Sequence, residues 1–222
     1  MRTKTLFLAA AALAAGVVAS VAQSNVYSLN VVGYVNVTVP ANGFVLVGNP
    51  LDTGSNVLDN ILGTAPNNTT KIFGFDPGTG AYTAYTKRSA GWSGAAGVNF
   101  NPGAGFFIQN SAATAITLTF VGQVMQGTNM NAYPSGFSIL SSQVPQAGLV
   151  QTDLGLPAQN NDQVYQFNPA TGAYTAFTRR AAGWGGGAEP MIGTNAQSGV
   201  AEAFFFNSKN GAGTWTRVFN VQ

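Results

Sequence analysis

Apolar and polar residues alternate along much of this chain. In residues 116–124, Ile116, Leu118 and Phe120 fall on one face, and the two threonines between them fall on the other. Residues 34–39 repeat the pattern with three valines on one face. Successive side chains of a strand point to opposite faces of its sheet, so this period of two predicts β-strands that are buried on one side.

Two other stretches are apolar on both faces. Residues 43–50 read GFVLVGNP and residues 105–108 read GFFI. Such runs predict strands in the middle of a layered structure, where both faces are covered. A short helix of one or two turns is expected at 55–62, where Ser55 can cap the first turn and Gly63 can end the last.

A thirteen-residue segment occurs twice in the sequence. Residues 80–92 read GAYTAYTKRSAGW and residues 172–184 read GAYTAFTRRAAGW, identical at ten positions. Each copy begins at the end of a turn, DPGTG at 76–80 and NPATG at 168–172, that predicts the loop of a β-hairpin. Weaker matches extend outwards, pairing 43–46 with 136–140 and 105–110 with 203–208. A repeat of about ninety residues is typical of a duplicated β unit.

These patterns predict an all-β protein built from two tandem pseudo-repeats. We expect β-sandwich or barrel-like units packed side by side, sharing one strand near residues 116–126. The first repeat is assigned to residues 23–124 and the second to residues 125–222.

Residues 1–22 read as a signal peptide. Arg2 and Lys4 give a basic start, an apolar run follows from 6 to 18, and Ser20-Val21-Ala22 is the small-x-small pattern of a cleavage site. The run is shorter than the ~20 residues that span a bilayer, which argues against the alternative of an uncleaved anchor. We therefore expect a secreted or cell-surface protein with no stable membrane span after cleavage.

Charge is scarce, at 7% of residues. Without Arg2 and Lys4, the Lys and Arg count falls from 9 to 7, which equals the 7 Asp and Glu. Nucleic-acid binding needs a concentrated basic surface, so nucleic acid is not expected as a partner. The chain has no cysteine, so each unit must be stabilised by its core without disulfides.

The sequence lacks the side chains of most enzyme templates. It has no histidine and no cysteine, hence no imidazole base, thiolate nucleophile or usual zinc ligand. Glycoside hydrolysis needs only two carboxylates, but Asp76 is replaced by Asn168 in the other copy, and Glu202 stands where the first copy has Ala104. We expect no catalytic residue, no metal site and no cofactor.

Four aromatic residues are the best candidates for ligand binding: Trp92, Trp184, Tyr82 and Tyr174. Each tryptophan follows a glycine after a polar strand, where its ring can stack on a sugar, and each tyrosine lies on the same hairpin. The alternative, which we favour for both tryptophans, is that they pack between sheets. In the basic pairs at 87–88 and 179–180, one residue is expected to lie over aromatic surface while the other faces solvent.

The order GFVLVGNPLD, IFGFDPGTGAYTAYT, NPGAGFFIQN and ITLTFVGQV resembles uncharacterised secreted β-repeat proteins of the kind abundant in Verrucomicrobia. It is also similar to the GWNLIGNP…GYFV modules of secreted Bacteroidetes proteins. The resemblance covers essentially all of the mature chain. It implies an exported β module and transfers no catalytic residue.

The function indicated is a secreted, non-enzymatic structural or interaction module of the cell surface or extracellular matrix. Its candidate partners are extracellular polysaccharide and other surface proteins. One alternative is a carbohydrate-binding module that uses exposed aromatic residues. A more remote alternative is an outer-membrane β-barrel, against which strands apolar on both faces, such as residues 44–47, argue.

Overall fold

The computed structural model describes residues 31–63, 65–94 and 97–221, and within them the chain is almost entirely β. The predicted signal peptide at 1–22 lies outside the described residues. None of the helices in the described part is long and apolar enough to cross a membrane.

The first half forms a five-stranded sheet and a two-stranded ribbon. Its elements are β1 (Val32–Val39), β2 (Phe44–Gly48), the helix α1 (Leu58–Leu62), β3 (Lys71–Asp76), β4 (Ala81–Arg88), β5 (Gly91–Ser93), β6 (Gly105–Gln109) and β7 (Ile116–Gln123). The sheet has the antiparallel order β2-β6-β3-β4-β5, and β1 pairs with β7 to form the ribbon.

The second half repeats this arrangement. Its elements are β8 (Gly127–Tyr133), β9 (Gly136–Ser141), β10 (Gly148–Leu149), β11 (Gln163–Asn168), β12 (Ala173–Arg180), β13 (Gly183–Gly185), β14 (Met191–Ile192), a 3₁₀ turn (Gly199–Ala201), β15 (Ala203–Ser208) and β16 (Gly213–Phe219). The sheet order β9-β15-β11-β12-β13 matches the first sheet strand for strand, and β8 pairs with β16 as the second ribbon. The short pair β10-β14 has a single-bridge counterpart in the first half, where Val57 pairs with Asn99.

The two copies of the sequence repeat are the same hairpin in the same place. Phe75 pairs with Tyr82 between β3 and β4, and Phe167 pairs with Tyr174 between β11 and β12. The all-β prediction and the two similar halves packed side by side are confirmed. Both five-stranded sheets of the described chain are open rather than closed, since each has two edge strands, β2 and β5 in the first sheet and β9 and β13 in the second.

Each sheet is covered on both faces, as the doubly apolar runs predicted. In the first half, Val45 and Phe106 point into a core shared with the β1-β7 ribbon. Their neighbours Leu46 and Phe107 point the other way, into a cluster with Phe205 of the second half. Alternation along a strand therefore serves two hydrophobic contacts at once.

Two details differ from the sequence-based expectation. Instead of one shared strand near 116–126, β7 ends at Gln123 and β8 begins at Gly127, whose φ of +75° redirects the chain. The helix spans only Leu58–Leu62, and Ser55 does not cap it. The reason is that Asn56 bonds to Asp52 and Asn49, which holds the preceding residues in a turn.

Glycine allows the two sheets to touch. A Cβ atom on Gly48 would lie 1.8 Å from Ser141 Oγ, and one on Gly105 would lie 2.2 Å from Ile139 Cγ2. Isolated bridges, Val47 with Glu202 and Ala104 with Leu140, join the halves at the same place. Any side chain at Gly48 or Gly105 would overlap the other half, so glycine at these two positions permits the close approach.

We predict that Gly105→Ala destabilises the fold by roughly 1–3 kcal/mol, because the added methyl overlaps Ile139. Combining it with Ile139→Ala should cost less than the sum of the two single changes, by more than ~0.5 kcal/mol, since the cavity accepts the methyl. Urea denaturation measures all three variants. Gly78→Ala is the control, because its Cβ would meet only Asp76 Oδ1, at 3.3 Å. Strict additivity would show that the contact is not tight.

Candidate functional site

Ten aromatic side chains gather where the two sheets face each other. They come as five equivalent pairs, one member from each half: Phe44 and Phe137, Phe73 and Tyr165, Phe75 and Phe167, Tyr82 and Tyr174, Phe107 and Phe205. We call this set the aromatic cluster. Its members stand on equivalent strands of the two sheets, on the face turned away from each half's own core.

Contacts within the aromatic cluster are reciprocal. Phe75 meets Phe205 edge-on with ring centroids 5.4 Å apart, and the equivalent rings Phe167 and Phe107 lie 5.2 Å apart. Phe107 and Phe205 occupy equivalent positions in the two halves and contact each other, with ring centroids 6.3 Å apart; we call such a pair self-equivalent. Reciprocal contacts of this kind mean that the halves are related by a pseudo-twofold axis. Edge-to-face pairs also stabilise the cluster beyond simple area burial.

Two grooves open beside the aromatic cluster. The first, of about 490 Å³, is lined by Phe75, Pro77, Gly80, Tyr82, Phe137, Tyr165, Tyr174 and Phe205. The second, of about 370 Å³, is lined by Phe44, Phe73, Tyr82, Phe107, Phe167, Gly172 and Tyr174. The grooves are pseudo-twofold counterparts, and both are bounded by Tyr82 and Tyr174. We call the two grooves, with the tyrosine pair between them, the trough.

The trough exposes aromatic surface to solvent. Tyr82 and Tyr174 are 47% and 46% exposed, and Phe44 and Phe137 are 37% and 43% exposed. Single exposed apolar residues are ordinary on protein surfaces, whereas here four partly exposed rings lie together along the two grooves.

The trough is electrically neutral. Among the described residues that line it, none is Lys, Arg, Asp or Glu. Burial and the adjacent Tyr82 raise the pKa of Tyr174 to about 12, and burial raises the pKa of Tyr82. Both phenols therefore keep their protons at physiological pH and act as hydrogen-bond donors or acceptors.

The two tryptophans lie elsewhere. Trp92 is 8% exposed and packs in the first core, with Lys87 Nζ 5.6 Å from its ring centroid. Trp184 is half-buried against the second core, and its Nε1 donates to Gln151 Oε1 at 3.2 Å. Of the four sequence-predicted site residues, the structure brings Tyr82 and Tyr174 together and leaves the tryptophans as packing residues.

One residue of each basic pair is half-buried and the other is exposed, and the half-buried residue lies over an aromatic ring in the first pair. Lys87 lies over Trp92 and forms an ion pair with Asp59 at 3.0 Å, whereas its neighbour Arg88 is exposed. In the second half, Arg179 Nε donates to Gln151 Oε1 at 2.8 Å, whereas Arg180 is exposed.

The acidic residues have structural partners. Asp76 accepts bonds from the Gly78 amide and the Thr79 hydroxyl, both at 2.9 Å, and these bonds lower its pKa. Glu202 is buried, which raises its pKa, and it accepts the Gly193 amide at 2.8 Å. No group of three or more acidic side chains suited to a metal ion occurs in the described residues.

Sequence reasoning missed eight members of the aromatic cluster. A signal for two of them was present: GFFI and AFFF are equivalent runs, and the second phenylalanine of each, Phe107 and Phe205, points away from its own core. The remaining members lie on strands whose apolar and polar pattern does not set them apart from ordinary half-buried residues.

No protein-family model, curated protein or solved structure matches the chain.

We predict that Trp92→Ala lowers the free energy of unfolding by about 3–5 kcal/mol with no ligand present, because a large buried ring is removed. Denaturant unfolding measures it. Tyr34→Ala, at a ring 75% exposed on β1, is the control and should change stability by less than ~0.5 kcal/mol. Unchanged stability of Trp92→Ala with lost retention on a polysaccharide would contradict the packing role.

We also predict that Tyr174 is among the last phenols to ionise. Folding raises its pKa from the ordinary 10.0 to about 12, so the folded state favours the neutral phenol. This stabilisation is present below about pH 10 and is lost as the pH rises through about 12. Phenolate absorbance should show that Tyr174→Phe removes a transition near pH 12. Loss of a transition at the ordinary value instead would contradict the burial.

Proposed function

We propose that this protein is an exported, non-enzymatic interaction module of the cell surface or extracellular matrix, and that the trough is its binding surface. The observation that carries the proposal is the trough itself: exposed rings from both halves around two equivalent grooves. Ligand sites are typically concave and mostly apolar, with few polar groups. The basic start and apolar run of residues 1–22 support export.

The chemistry of the lining supports binding rather than catalysis. The polar side-chain groups of the trough are the phenols of Tyr82, Tyr165 and Tyr174, and the raised pKa of Tyr82 and of Tyr174 keeps those two protonated. A general base needs a pKa near the working pH. The tyrosines fit better as hydrogen-bonding and stacking groups for a neutral ligand.

Carbohydrate binding is the second candidate, favoured by the half-exposed rings of Tyr82 and Tyr174. Aromatic rings stack on the apolar faces of sugars. Seven of the ten rings that line the two grooves, however, are phenylalanine, which offers sugar hydroxyls no hydrogen-bond partner. Burying an unpaired hydroxyl costs free energy, so the trough fits an apolar ligand better than a sugar.

A neutral apolar dye tests the trough as a binding surface. We expect Nile red to bind the wild-type protein with a blue-shifted emission, and the double variant Tyr82→Ser/Tyr174→Ser to bind at least about tenfold more weakly, because both grooves lose a wall. Tyr34→Ser removes an exposed tyrosine ring that lies outside the trough, and this variant should bind the dye as the wild type does. Thermal melting confirms that each variant is folded.

Two results would reject the proposal: no dye binding by the wild type, or equal binding by the wild type and the double variant. Retention of the wild type on insoluble cellulose or chitin, lost in the double variant and kept in Tyr34→Ser, would favour the carbohydrate-binding candidate.

A further inference from the structure

We propose that the molecule has a second binding site, beside the trough, which takes a short uncharged turn of another protein's chain. The site is a pocket of about 280 Å³ between the halves, lined by the end of β3, by residues within 99–105 and by residues within 131–140. We call it the junction pocket. Its occupant is inferred from the molecule itself, because the equivalent place in the second half is filled by a loop of this chain.

The junction pocket and that loop occupy equivalent places in the two halves. Gly74 of β3 and Gln166 of β11 are equivalent, because each pairs with the first phenylalanine of its neighbouring strand. Ala104 and Glu202 are equivalent, because each forms an isolated bridge to the edge strand of the other half, β9 and β2 respectively. Gly74 and Ala104 both line the junction pocket.

In the second half the equivalent positions carry the side chains that hold the loop. Gln166 Nε2 donates to Glu202 Oε1 at 3.2 Å and to the carbonyl of Met191 at 2.8 Å. Glu202 Oε2 accepts the backbone amides of Gly193 at 2.8 Å and Asn195 at 3.4 Å. The side-chain pair and the loop together fill this place.

The first half lacks both the side chains and the loop. Glycine and alanine stand where the second half has Gln166 and Glu202, and residues 92–104 form a shorter connection than the equivalent residues 184–202. Glu202 is only 4% exposed, whereas the equivalent Ala104 is half-buried. The junction pocket is therefore the space that is filled in one half and open in the other.

A backbone donor of β8 faces the junction pocket. The carbonyl of Met130 accepts a bond from Gln143 Nε2 at 2.9 Å, so the polar backbone groups of Met130 point away from the partner strand β16. Along an antiparallel strand this direction alternates from one residue to the next. Ala132, two residues further on, therefore also turns its N–H away from β16, and Ala132 lines the junction pocket.

The equivalent backbone donor of β1 is bound by the loop. Thr38 and Ala132 are equivalent, because each lies two residues before the proline that follows its strand. The amide of Thr38 donates to the carbonyl of Gln197 at 2.8 Å. A ligand that enters the junction pocket can make the same bond by presenting a carbonyl to the amide of Ala132.

The loop indicates the class of ligand. Residues 193–199 form a tight turn, in which the carbonyl of Asn195 accepts the amide of Gly199 at 2.7 Å and Asn195 Oδ1 accepts the amide of Gln197 at 2.9 Å. No residue of this turn is charged, and none of the described residues that line the junction pocket is charged. A charged side chain would lose water there without gaining a partner, which is costly. The ligand is therefore an uncharged turn.

Titration of the full chain with a peptide, followed in its amide NMR spectrum, tests the inference. The probe is Ac-Gly-Thr-Asn-Ala-Gln-Ser-Gly-NH2, the sequence of residues 193–199. We expect a Kd of about 1 mM or below, with a downfield shift of the Ala132 amide proton and other shifts confined to 99–105 and 131–140. The control Ac-Gly-Thr-Asp-Ala-Glu-Ser-Gly-NH2 should bind at least about tenfold more weakly, because its charges find no partner.

Two matched double variants locate the site. Gly74→Gln/Ala104→Glu introduces the side chains of the second half into the junction pocket and should weaken peptide binding at least about tenfold. A Cβ atom on Gly74 would lie at ordinary contact distance from its neighbours, 3.4 Å or more. Gly78→Gln/Ala113→Glu makes the same changes at exposed residues outside the pocket lining and should bind as the wild type does.

The trough variant separates this site from the proposed function. Tyr82 and Tyr174 do not line the junction pocket, although Phe75 and Pro77 line both the pocket and the first groove. Tyr82→Ser/Tyr174→Ser should therefore lose Nile red and keep the peptide. Absence of dye binding would reject the trough and leave the junction pocket in place, whereas loss of the peptide in this variant would overturn the second site.

Three further results would overturn the inference. They are an unmoved Ala132 amide at about 10 mM peptide, equal affinity for the charged peptide, and binding of glucose at the same amides in place of the peptide. Unchanged affinity in a folded Gly74→Gln/Ala104→Glu protein would also overturn it. Thermal melting establishes folding, and if this variant unfolds, the Ala132 amide of the wild type decides alone.

Discussion

The close contact of the two sheets along the pseudo-twofold axis sets the shape of the molecule. Three self-equivalent pairs lie on this axis: Gly48 with Ser141, Gly105 with Ala203, and Phe107 with Phe205. Where the pairs are small, the backbones approach closely enough to form bridges. Where the pair is aromatic, the rings hold the sheets apart. The trough is the consequence, because sheets that touch at one end and are spaced by rings at the other leave grooves between them.

The sequence predicted much of this architecture. Doubly apolar runs such as 43–50 indicated strands covered on both faces, and the DPGTG and NPATG turns located the two equivalent hairpins. The local turn chemistry decides these features, so a single sequence is enough to find them. Tyr82 and Tyr174 were identified for a related reason, since their hairpin carries the strongest match between the copies.

The rest depends on contacts between distant segments. The sequence favoured packing for Trp92 but could not say where, because the ring enters the first core only when β5 folds back on β4 and Trp92 pairs with Lys87. Which phenylalanines of the doubly apolar strands face the other half follows from the pseudo-twofold packing, which no local pattern encodes. The same limit explains the strand expected across 116–126, where the pairing of β8 with β16 separates the halves.

Reciprocal contacts between equivalent surfaces are those of a symmetric dimer, here joined within one polypeptide. The stability of a homodimer depends on protein concentration, whereas the interface of a joined pair forms at any dilution. Because the halves are joined in one chain, their sequences can also differ. Glu202 accepts hydrogen bonds from the backbone of the 193–195 loop in the second half, whereas the equivalent residue of the first half is Ala104. One half can therefore acquire new loops while the shared interface keeps its shape.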